Sequence, residues 1–120
     1  MMAEASCPAG SRRCLSSRSA GNTRLIPIVE VRALIADHKY VTACLPGAEA
    51  LLDDSLSALE SEFPDLFLRV HRGVLVAIRH IRGIVRRPDG GCAVALESVV
   101  VRPPISRRRL ATVRRRIARL

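Results

Sequence analysis

Aromatic side chains are nearly absent from this chain of 120 residues, which contains two Phe, one Tyr and no Trp. Modules that recognise single-stranded RNA usually stack its bases on aromatic rings. The sequence therefore offers no stacking platform, although its charge alone leaves open a basic RNA-binding or ribosome-associated protein. A chain of this length buries one modest core, which must be aliphatic, and we expect a single-domain protein.

Long hydrophobic runs are also missing from the sequence. No stretch approaches the roughly 18 to 20 apolar residues that a membrane-spanning helix needs. The first 21 residues lack the continuous apolar stretch of a signal peptide. We therefore expect a cytoplasmic protein without a membrane partner.

Motifs that carry chemistry are scarce as well. The four cysteines form no C-x-x-C pair and have no histidine at zinc-ligand spacing, so no metal site is expected. Cys44 and Cys92 lie in strand-like stretches and are interpreted as small buried hydrophobes. There is no G-x-S-x-G motif and no Gly-rich phosphate loop, and Asp53-Asp54 suits the start of a helix. We expect no catalysis, no cofactor and no small-molecule substrate.

Positive charge is present in excess and is unevenly distributed. The formal net charge is +9, from 20 Lys and Arg against 11 Asp and Glu. Residues 1–24 sum to +3, residues 25–64 to −5, and residues 65–120 to +11, the last from fourteen arginines and three acids. A basic surface of this strength predicts a polyanionic partner, and it belongs to the second half of the chain.

Composition divides the chain into a tail and a domain. Residues 1–24, rich in Ser, Ala, Gly and Arg and without periodicity, predict a flexible basic tail. Residues 25–120 are predicted to fold. Their first strand-like runs, Val29–Ala36 and Tyr40–Leu45, flank the turn-forming sequence DHK and predict a hairpin. A turn at Pro46-Gly47 and a further short strand follow.

A helix is predicted after these strands. Apolar residues recur there with helical spacing at Leu56, Leu59 and Phe63. Either Asp54 or Ser55 can cap the first turn, and Pro64 ends the run.

A second helix is predicted at the C-terminus, with Ser106 as its N-cap. Its apolar stripe comprises Leu110, Val113, Ile117 and Leu120, and its arginines lie off that stripe. Between the helices, short strands separated by tight turns and by Gly or Pro predict antiparallel pairing. The expected fold class is mostly β, a β-dominated α+β arrangement of antiparallel strands and hairpins with one short central helix and a short C-terminal helix.

The segment FLRVHRGVLVAIRHI, residues 67–81, carries cationic or ionisable groups at five of its fifteen positions. Alternate side chains of a strand face opposite sides. Leu68 and Val70 can therefore pack inward while Arg69, His71 and Arg79 point outward or sit at strand ends. A solvated basic face remains the alternative to a binding surface.

Several stretches, taken in order, resemble the LytTR-type DNA-binding domain, the output module of bacterial response regulators such as those of alginate production and quorum sensing. LIADHKYVTACL is similar to the opening hairpin of that family. LLDDSLSALESEFPDLFLRVHRGVLV resembles its helix and arginine-histidine-arginine strand. IRHIRGI and RPPISRRRLATV are similar to the next strand and the closing segment. The resemblance covers about residues 26–115, and the capped helix followed by F-x-R-V-H-R is its most specific part.

The resemblance implies a β-rich fold that places loops, in place of a recognition helix, in successive major grooves of double-stranded DNA. The first loop is DHK, with His38 at a contacting position and Lys39 beside it; a solvated turn residue is the alternative for His38. The third is ISRRR, in which Arg107 matches a base-contacting arginine that can fork onto guanine. A phosphate contact alone is the alternative for Arg107, and Arg108 is expected to face phosphate or solvent.

The second loop, VAIRH, departs from the family pattern. Ala77 stands where the family commonly has asparagine, and alanine cannot make the bidentate contact of an amide with adenine. Either Arg79 or His80 replaces that contact, or specificity is lost there. Arg69 is expected to meet a phosphate.

The resemblance also bears on assembly and regulation. It implies that two copies bind direct repeats in promoter regions, about one helical turn apart or a multiple of it. Most members of the family carry a receiver domain ahead of this module, whereas only about 24 residues precede it here. We expect that the domain acts alone, is the separated output half of a regulator, or has a truncated start. A protein-interaction module that uses edge strands stays open as another class.

Overall fold

A seven-stranded antiparallel sheet forms the centre of the molecule in the computed structural model, which describes residues 13–120. Its strands lie in the order β2-β1-β5-β4-β3-β7-β6. Their bounds are β1 Cys14–Ser19, β2 Asn22–Pro27, β3 Ala33–Ala36, β4 Val41–Leu45, β5 Ala48–Leu52, β6 Phe67–His71 and β7 Val74–Ala77. A small second sheet has the order β10-β9-β8, with β8 Ile81–Arg86, β9 Cys92–Leu96 and β10 Pro104–Ile105.

Two helices and two 3-10 turns complete the described fold. The helices are α1 Leu56–Glu62 and α2 Arg107–Ala118, and the 3-10 turns are Ile28–Glu30 and Ile78–His80. The mostly β fold class, with a short central helix and a C-terminal helix, is therefore confirmed. None of the helices in residues 13–120 is long and apolar enough to cross a membrane.

The first predicted hairpin is present as β3 and β4, which pair from Ala33 opposite Cys44 to Ala36 opposite Val41. Its first strand is shorter than the predicted Val29–Ala36, because residues 28–30 form a 3-10 turn and β3 begins at Ala33. Asp37 shapes the turn, because its carboxylate accepts the His38 N–H at 2.8 Å. At the next turn, Gly47 has a φ of 73°. Glycine adopts this left-handed conformation without steric cost, and β5 can therefore return directly along β4.

Helix α1 begins where the sequence predicts. Of the two candidate caps, Ser55 occupies the N-cap, and its Oγ accepts the Ala58 N–H at 3.1 Å. Leu56 and Leu59 are buried beneath the helix. Phe63, at its C-terminal end, meets Phe67 edge to face with ring centroids 6.1 Å apart.

The tail prediction is wrong for residues 14–24. β1 and β2 form a hairpin in which Leu15 lies opposite Ile26 and both are fully buried, and Ser17 of β1 pairs with Leu52 of β5. The sequence CLSSRS gives no strand pattern, because it contains only one large aliphatic residue, Leu15. One of the strands that β1 pairs with, β5, is also distant in the chain. The prediction for residues 1–12 lies outside the described residues.

The seven-stranded sheet is covered on both faces, as β7 shows. Leu75 and Ala77 join one core cluster, to which α1 contributes Leu56 and Leu59 and the C-cap of α1 contributes Phe63. Val74 and Val76 join the other cluster, which includes residues of the second sheet and of α2. The two helices therefore lie on opposite faces of the same sheet.

Helix α2 packs on the second face of the sheet through the apolar stripe that the sequence predicts. Val113 is fully buried, Leu110 and Ile117 are half-buried, and Leu120 is largely exposed. Ser106 occupies the N-cap, but its side chain makes no capping hydrogen bond. The Ser106 N–H donates to Val70 O at 2.9 Å instead, which fastens the start of α2 to the end of β6.

Three of the cysteines lie in the described region as free thiols. Cys44 is buried, whereas Cys14 and Cys92 are half-buried. Burial raises the pKa of the Cys44 thiol, which keeps it neutral and agrees with its interpretation as a small hydrophobe. Within residues 13–120, no group of three or more His, Cys, Asp and Glu side chains could hold a metal ion.

Candidate nucleic-acid interface

The tip of the β3–β4 hairpin lies at one end of the seven-stranded sheet. It carries His38 and Lys39, both exposed. The His38 side chain is 99% exposed, and its Nε2 lies 3.8 Å from an oxygen of Asp37. At the base of the tip, the Ala36 N–H donates to Gly73 O at 2.8 Å, so the β6–β7 turn is its neighbour.

The start of α2 reaches the same end of the sheet. The bond from Ser106 to Val70, near the end of β6, places Arg107 and Arg108 close to the β6–β7 turn. Both arginines are exposed, and neither forms an ion pair with a carboxylate of the described chain. Two of the three loops predicted to contact DNA are therefore brought together.

The second predicted loop, VAIRH, lies at the opposite end of β6 and β7. Ala77 N–H donates to Arg32 O and Ile78 N–H donates to Leu66 O, both at 2.9 Å. Strands of four and five residues at 3.3 Å per residue separate the two ends by about 15 Å. Arg79 is exposed there and lines an open cleft of about 450 Å³ that Leu120, just after α2, also borders.

The neighbouring His80 is engaged inside the protein. Its Nε2 lies 2.7 Å from Val29 O and its Nδ1 lies 2.9 Å from Glu97 Oε1. Both partner atoms are acceptors, so both ring nitrogens serve as donors when the ring carries two protons. The His80 side chain is 12% exposed. This geometry favours a positioning role for His80, and leaves Arg79 as the outward-facing group of that turn.

An ionic cluster around Glu97 was not found by sequence reasoning. Arg32, which is buried, donates through Nε to Glu97 O at 3.1 Å and through Nη1 to Glu30 O at 2.7 Å. Arg82 donates to Glu97 Oε2 at 3.1 Å. Glu97 is one of only three acidic residues in residues 65–120. An isolated acid in a basic region is the one feature of the sequence that could have indicated this cluster.

The pKa of Glu97 is lowered chiefly by the hydrogen bond with His80. Desolvation is the second-largest effect and opposes this shift, while the charges of Arg82, His80 and Arg32 lower the pKa further. A carboxyl group whose pKa is lower in the folded state stabilises the fold above its unfolded pKa. That stabilisation is lost as the pH falls through the folded pKa.

Glu97→Gln should therefore destabilise the protein above about pH 5, where the Glu97 carboxyl group is ionised. The difference from wild type should shrink as the pH falls below the ordinary carboxyl pKa of 4.5. Urea unfolding of wild type and Glu97→Gln across this pH range measures the difference in their free energies of unfolding. Glu49→Gln, at an exposed carboxylate without an ion pair in the described chain, should give a curve parallel to wild type. A Glu97→Gln difference that is independent of pH would contradict the argument.

Arg69 occupies a different environment from the one predicted. Its Nη1 lies 2.7 Å from Glu60 Oε1 of α1, and its side chain is 16% exposed. Its Nε donates to His71 O at 3.1 Å, and its Nη2 donates to Arg72 O. These bonds tie α1 to the β6–β7 turn, so the structure favours a positioning role for Arg69 over a phosphate contact.

His71 supports the same turn. Its Nδ1 accepts the Gly73 N–H at 3.1 Å. His71 is the last residue of β6, and its hydrogen bond to the Gly73 N–H stabilises the turn that follows this strand.

Fold and site together define a small, predominantly antiparallel β module with exposed cations at both ends of its central sheet. The model of the LytTr DNA-binding domain family matches residues 21–118. The chain belongs to the LytTr DNA-binding domain family.

Two curated proteins are similar to most of this chain. The positive alginate biosynthesis regulatory protein of Pseudomonas aeruginosa is 43% identical over 112 residues, which are 92% of this chain and 45% of that protein. The CO-responsive transcriptional regulator RcoM of Rhodospirillum rubrum is 30% identical over 108 residues, which are 89% of this chain and 46% of that protein. The chain thus spans about half the length of these relatives.

A solved structure shows the same fold. A LytTr DNA-binding domain from Bacillus cereus superposes with a TM-score of 0.76 at 21% sequence identity. The match covers 88% of this chain and 96% of that one.

Proposed function

We propose that this chain is the DNA-binding module of a bacterial transcriptional regulator and acts in the cytoplasm by binding specific duplex sequences. The observation that carries the proposal is the convergence of two exposed cationic loops, His38-Lys39 and Arg107-Arg108, at one end of the sheet in a member of this family. Both curated relatives are named as regulators. An exposed cationic surface suits phosphate and base edges alike.

Each exposed group has a distinct role in this proposal. Arg107 and His38 contact base edges, and Arg107 does so through its planar fork. Lys39 and Arg108 neutralise phosphates and set the register. Arg79, about 15 Å away along the sheet, contacts a neighbouring part of the duplex.

The buried and half-buried groups hold these loops in place. Arg69 fixes the β6–β7 turn, which borders both contacting loops. His80 fixes the 3-10 turn that presents Arg79. Truncating either should weaken binding by altering the loops.

The proposal extends to assembly and to partners. Two copies bind direct repeats in promoter regions, about one helical turn apart or a multiple of it, and the second copy on DNA is the partner. The module acts without catalysis, and neither a membrane nor a small-molecule substrate takes part.

Selection of duplexes from a random pool tests the function and the symmetry of the site together. We expect a selected sequence with two similar half-sites in the same orientation. Fluorescence polarisation should then show tighter binding to that duplex than to a scrambled duplex or to single-stranded RNA, with affinity falling as salt rises. Stronger binding to RNA than to any duplex would contradict the proposal and support an RNA-binding protein.

A further inference from the structure

Helix α2 carries an unusual concentration of positive charge. Six of its twelve residues are arginine, and Arg119 follows directly at its C-cap. The helix contains no acidic residue. None of these seven arginines pairs with a carboxylate in the part of the chain that the structure describes.

Helix geometry places three of these arginines on one side of α2, facing away from the sheet. At 100° per residue, Arg108, Arg115 and Arg119 lie along a single stripe. Thr112 lies on the same stripe and loosely contacts Arg115, with Nη2 3.4 Å from Oγ1. The stripe points away from the apolar residues that pack α2 on the sheet, which are Leu110, Val113 and Ile117. We call Arg108, Arg115 and Arg119 the arginine stripe.

This arrangement does not serve the stability of the helix. Arg115 and Arg119, four residues apart, repel each other across one turn. Arg107, Arg108 and Arg109 fill the first turn, where the helix macrodipole disfavours positive charge. A polyanion bound along the stripe would remove both unfavourable terms.

The course of α2 connects the two ends of the proposed interface. It begins next to Val70, at the end that holds His38 and Arg107. Leu120, two residues after the end of α2, borders the same cleft as Arg79. The opposite face of the sheet carries α1, whose charged residues are Glu60 and Glu62. A duplex that reaches both ends is therefore attracted by the α2 face, whereas α1 offers it no basic side chain.

We propose that the arginine stripe binds the sugar-phosphate backbone of the duplex between the two loop-contacting ends. This inference rests on the proposed function and adds Arg115 and Arg119 to the DNA-contacting surface. Arg108 and Arg119 are eleven residues apart, about 16 Å along the helix axis. One strand of B-DNA, rising 3.4 Å per nucleotide, presents about five phosphates over that distance.

The test is the salt dependence of binding to the selected duplex. Arg115→Gln should reduce the slope of log affinity against log salt by about 0.9, and Arg115→Gln/Arg119→Gln by about 1.8. For the double variant, the ratio of wild-type to variant affinity should be about 12-fold larger at 50 mM than at 200 mM salt. The ratio between specific and scrambled duplexes should not change, because phosphates carry no sequence information.

Two controls separate a contact from a general effect of charge or folding. Arg24→Gln removes the same charge from exposed β2, at the sheet edge remote from α2, and should leave the slope unchanged. Arg115→Lys/Arg119→Lys should restore the wild-type slope, because lysine meets a phosphate as a point charge. The thermal midpoint of the glutamine variants should change little. Neither arginine has a carboxylate partner within residues 13–120, and Arg115 loses only the long, exposed contact of 3.4 Å with Thr112.

A double glutamine variant with the wild-type slope would overturn this inference, provided that wild-type protein binds the duplex with its own salt dependence. An equal change in slope for Arg24→Gln and Arg115→Gln would overturn it too, since long-range charge would then explain both. Absence of salt-dependent duplex binding by wild-type protein would contradict the proposed function and, with it, this inference.

Discussion

Arg107→Ala should narrow the ratio between affinities for the selected and scrambled duplexes by roughly 5-fold to more than 100-fold. A bidentate arginine–guanine pair contributes about 1 to 3 kcal/mol of discrimination, and each 1.36 kcal/mol corresponds to about a factor of ten. The effect falls on the specific complex, because the scrambled duplex offers no matched guanine. Arg107 is the first residue of α2 and is exposed, so its truncation should leave the fold intact.

The backbone before Arg107 is held firmly, which supports a large effect. Pro104 and Ile105 form β10 and pair with Ala93 and Cys92 of β9. The next residue, Ser106, is bonded to Val70. A side chain presented from a fixed backbone loses little freedom on binding, so more of its contact energy appears as affinity.

Titration of both duplexes at one fixed salt concentration measures the effect of Arg107→Ala. Arg107→Lys should recover charge but only part of the discrimination, since lysine lacks the planar fork. Arg108→Ala is the matched control, because it removes an adjacent charge and should weaken both complexes alike. If Arg107→Ala also weakened both complexes equally, Arg107 would be a phosphate contact, and base recognition would rest on His38 or Arg79.

Arg32→Met should lower the free energy of unfolding by about 1 to 3 kcal/mol, because it leaves two part-buried carbonyl oxygens without their donor and removes an ionic partner of Glu97. Methionine keeps the length of the side chain but donates to neither Glu30 O nor Glu97 O, which accept from Arg32 in the folded protein. The Glu97 carboxylate, 4.0 Å from Arg32 Nη2 and 38% exposed, retains His80 and Arg82. The loss should therefore stay below that of a fully buried pair broken on one side.

Urea unfolding followed by circular dichroism measures this loss of stability. Arg82→Met is the matched control: Arg82 also bonds Glu97, but its side chain is 66% exposed. Exposed ion pairs contribute less than about 1 kcal/mol. If Arg32→Met and Arg82→Met destabilised the protein equally, the hydrogen bonds from Arg32 to the carbonyl oxygens of Glu30 and Glu97 would not be important for stability.

Short-range patterns predicted much of the fold. The DHK turn, the turn at Pro46-Gly47 and the helix begun by Ser55 are local features, and all are present in the structure. Their residue preferences act within a few positions of the chain, so they are visible in the sequence alone. The β1–β2 hairpin was missed, because Leu15 packs against residues far away in the chain and CLSSRS shows no alternation of its own.

The candidate site was predictable only in part. His38, Lys39, Arg79, Arg107 and Arg108 were singled out, and the structure presents all five at the surface. Arg69 and His80 were singled out by the same reasoning, yet they bond inside the protein. Their partners Glu60 and Glu97 are 9 and 17 residues away. No local periodicity identifies such pairs.

The sequence by itself determined the family, the mostly antiparallel β class and the concentration of positive charge in residues 65–120, because each depends on the order and spacing of residues along the chain. Only the tertiary structure decided which cations are available to a ligand. Arg69 and Arg107 are chemically identical, but Arg69 lies beneath α1 against a carboxylate, whereas Arg107 opens an exposed helix. Burial and partner geometry are set by packing between distant segments, and these determine whether an arginine holds the fold or faces a duplex.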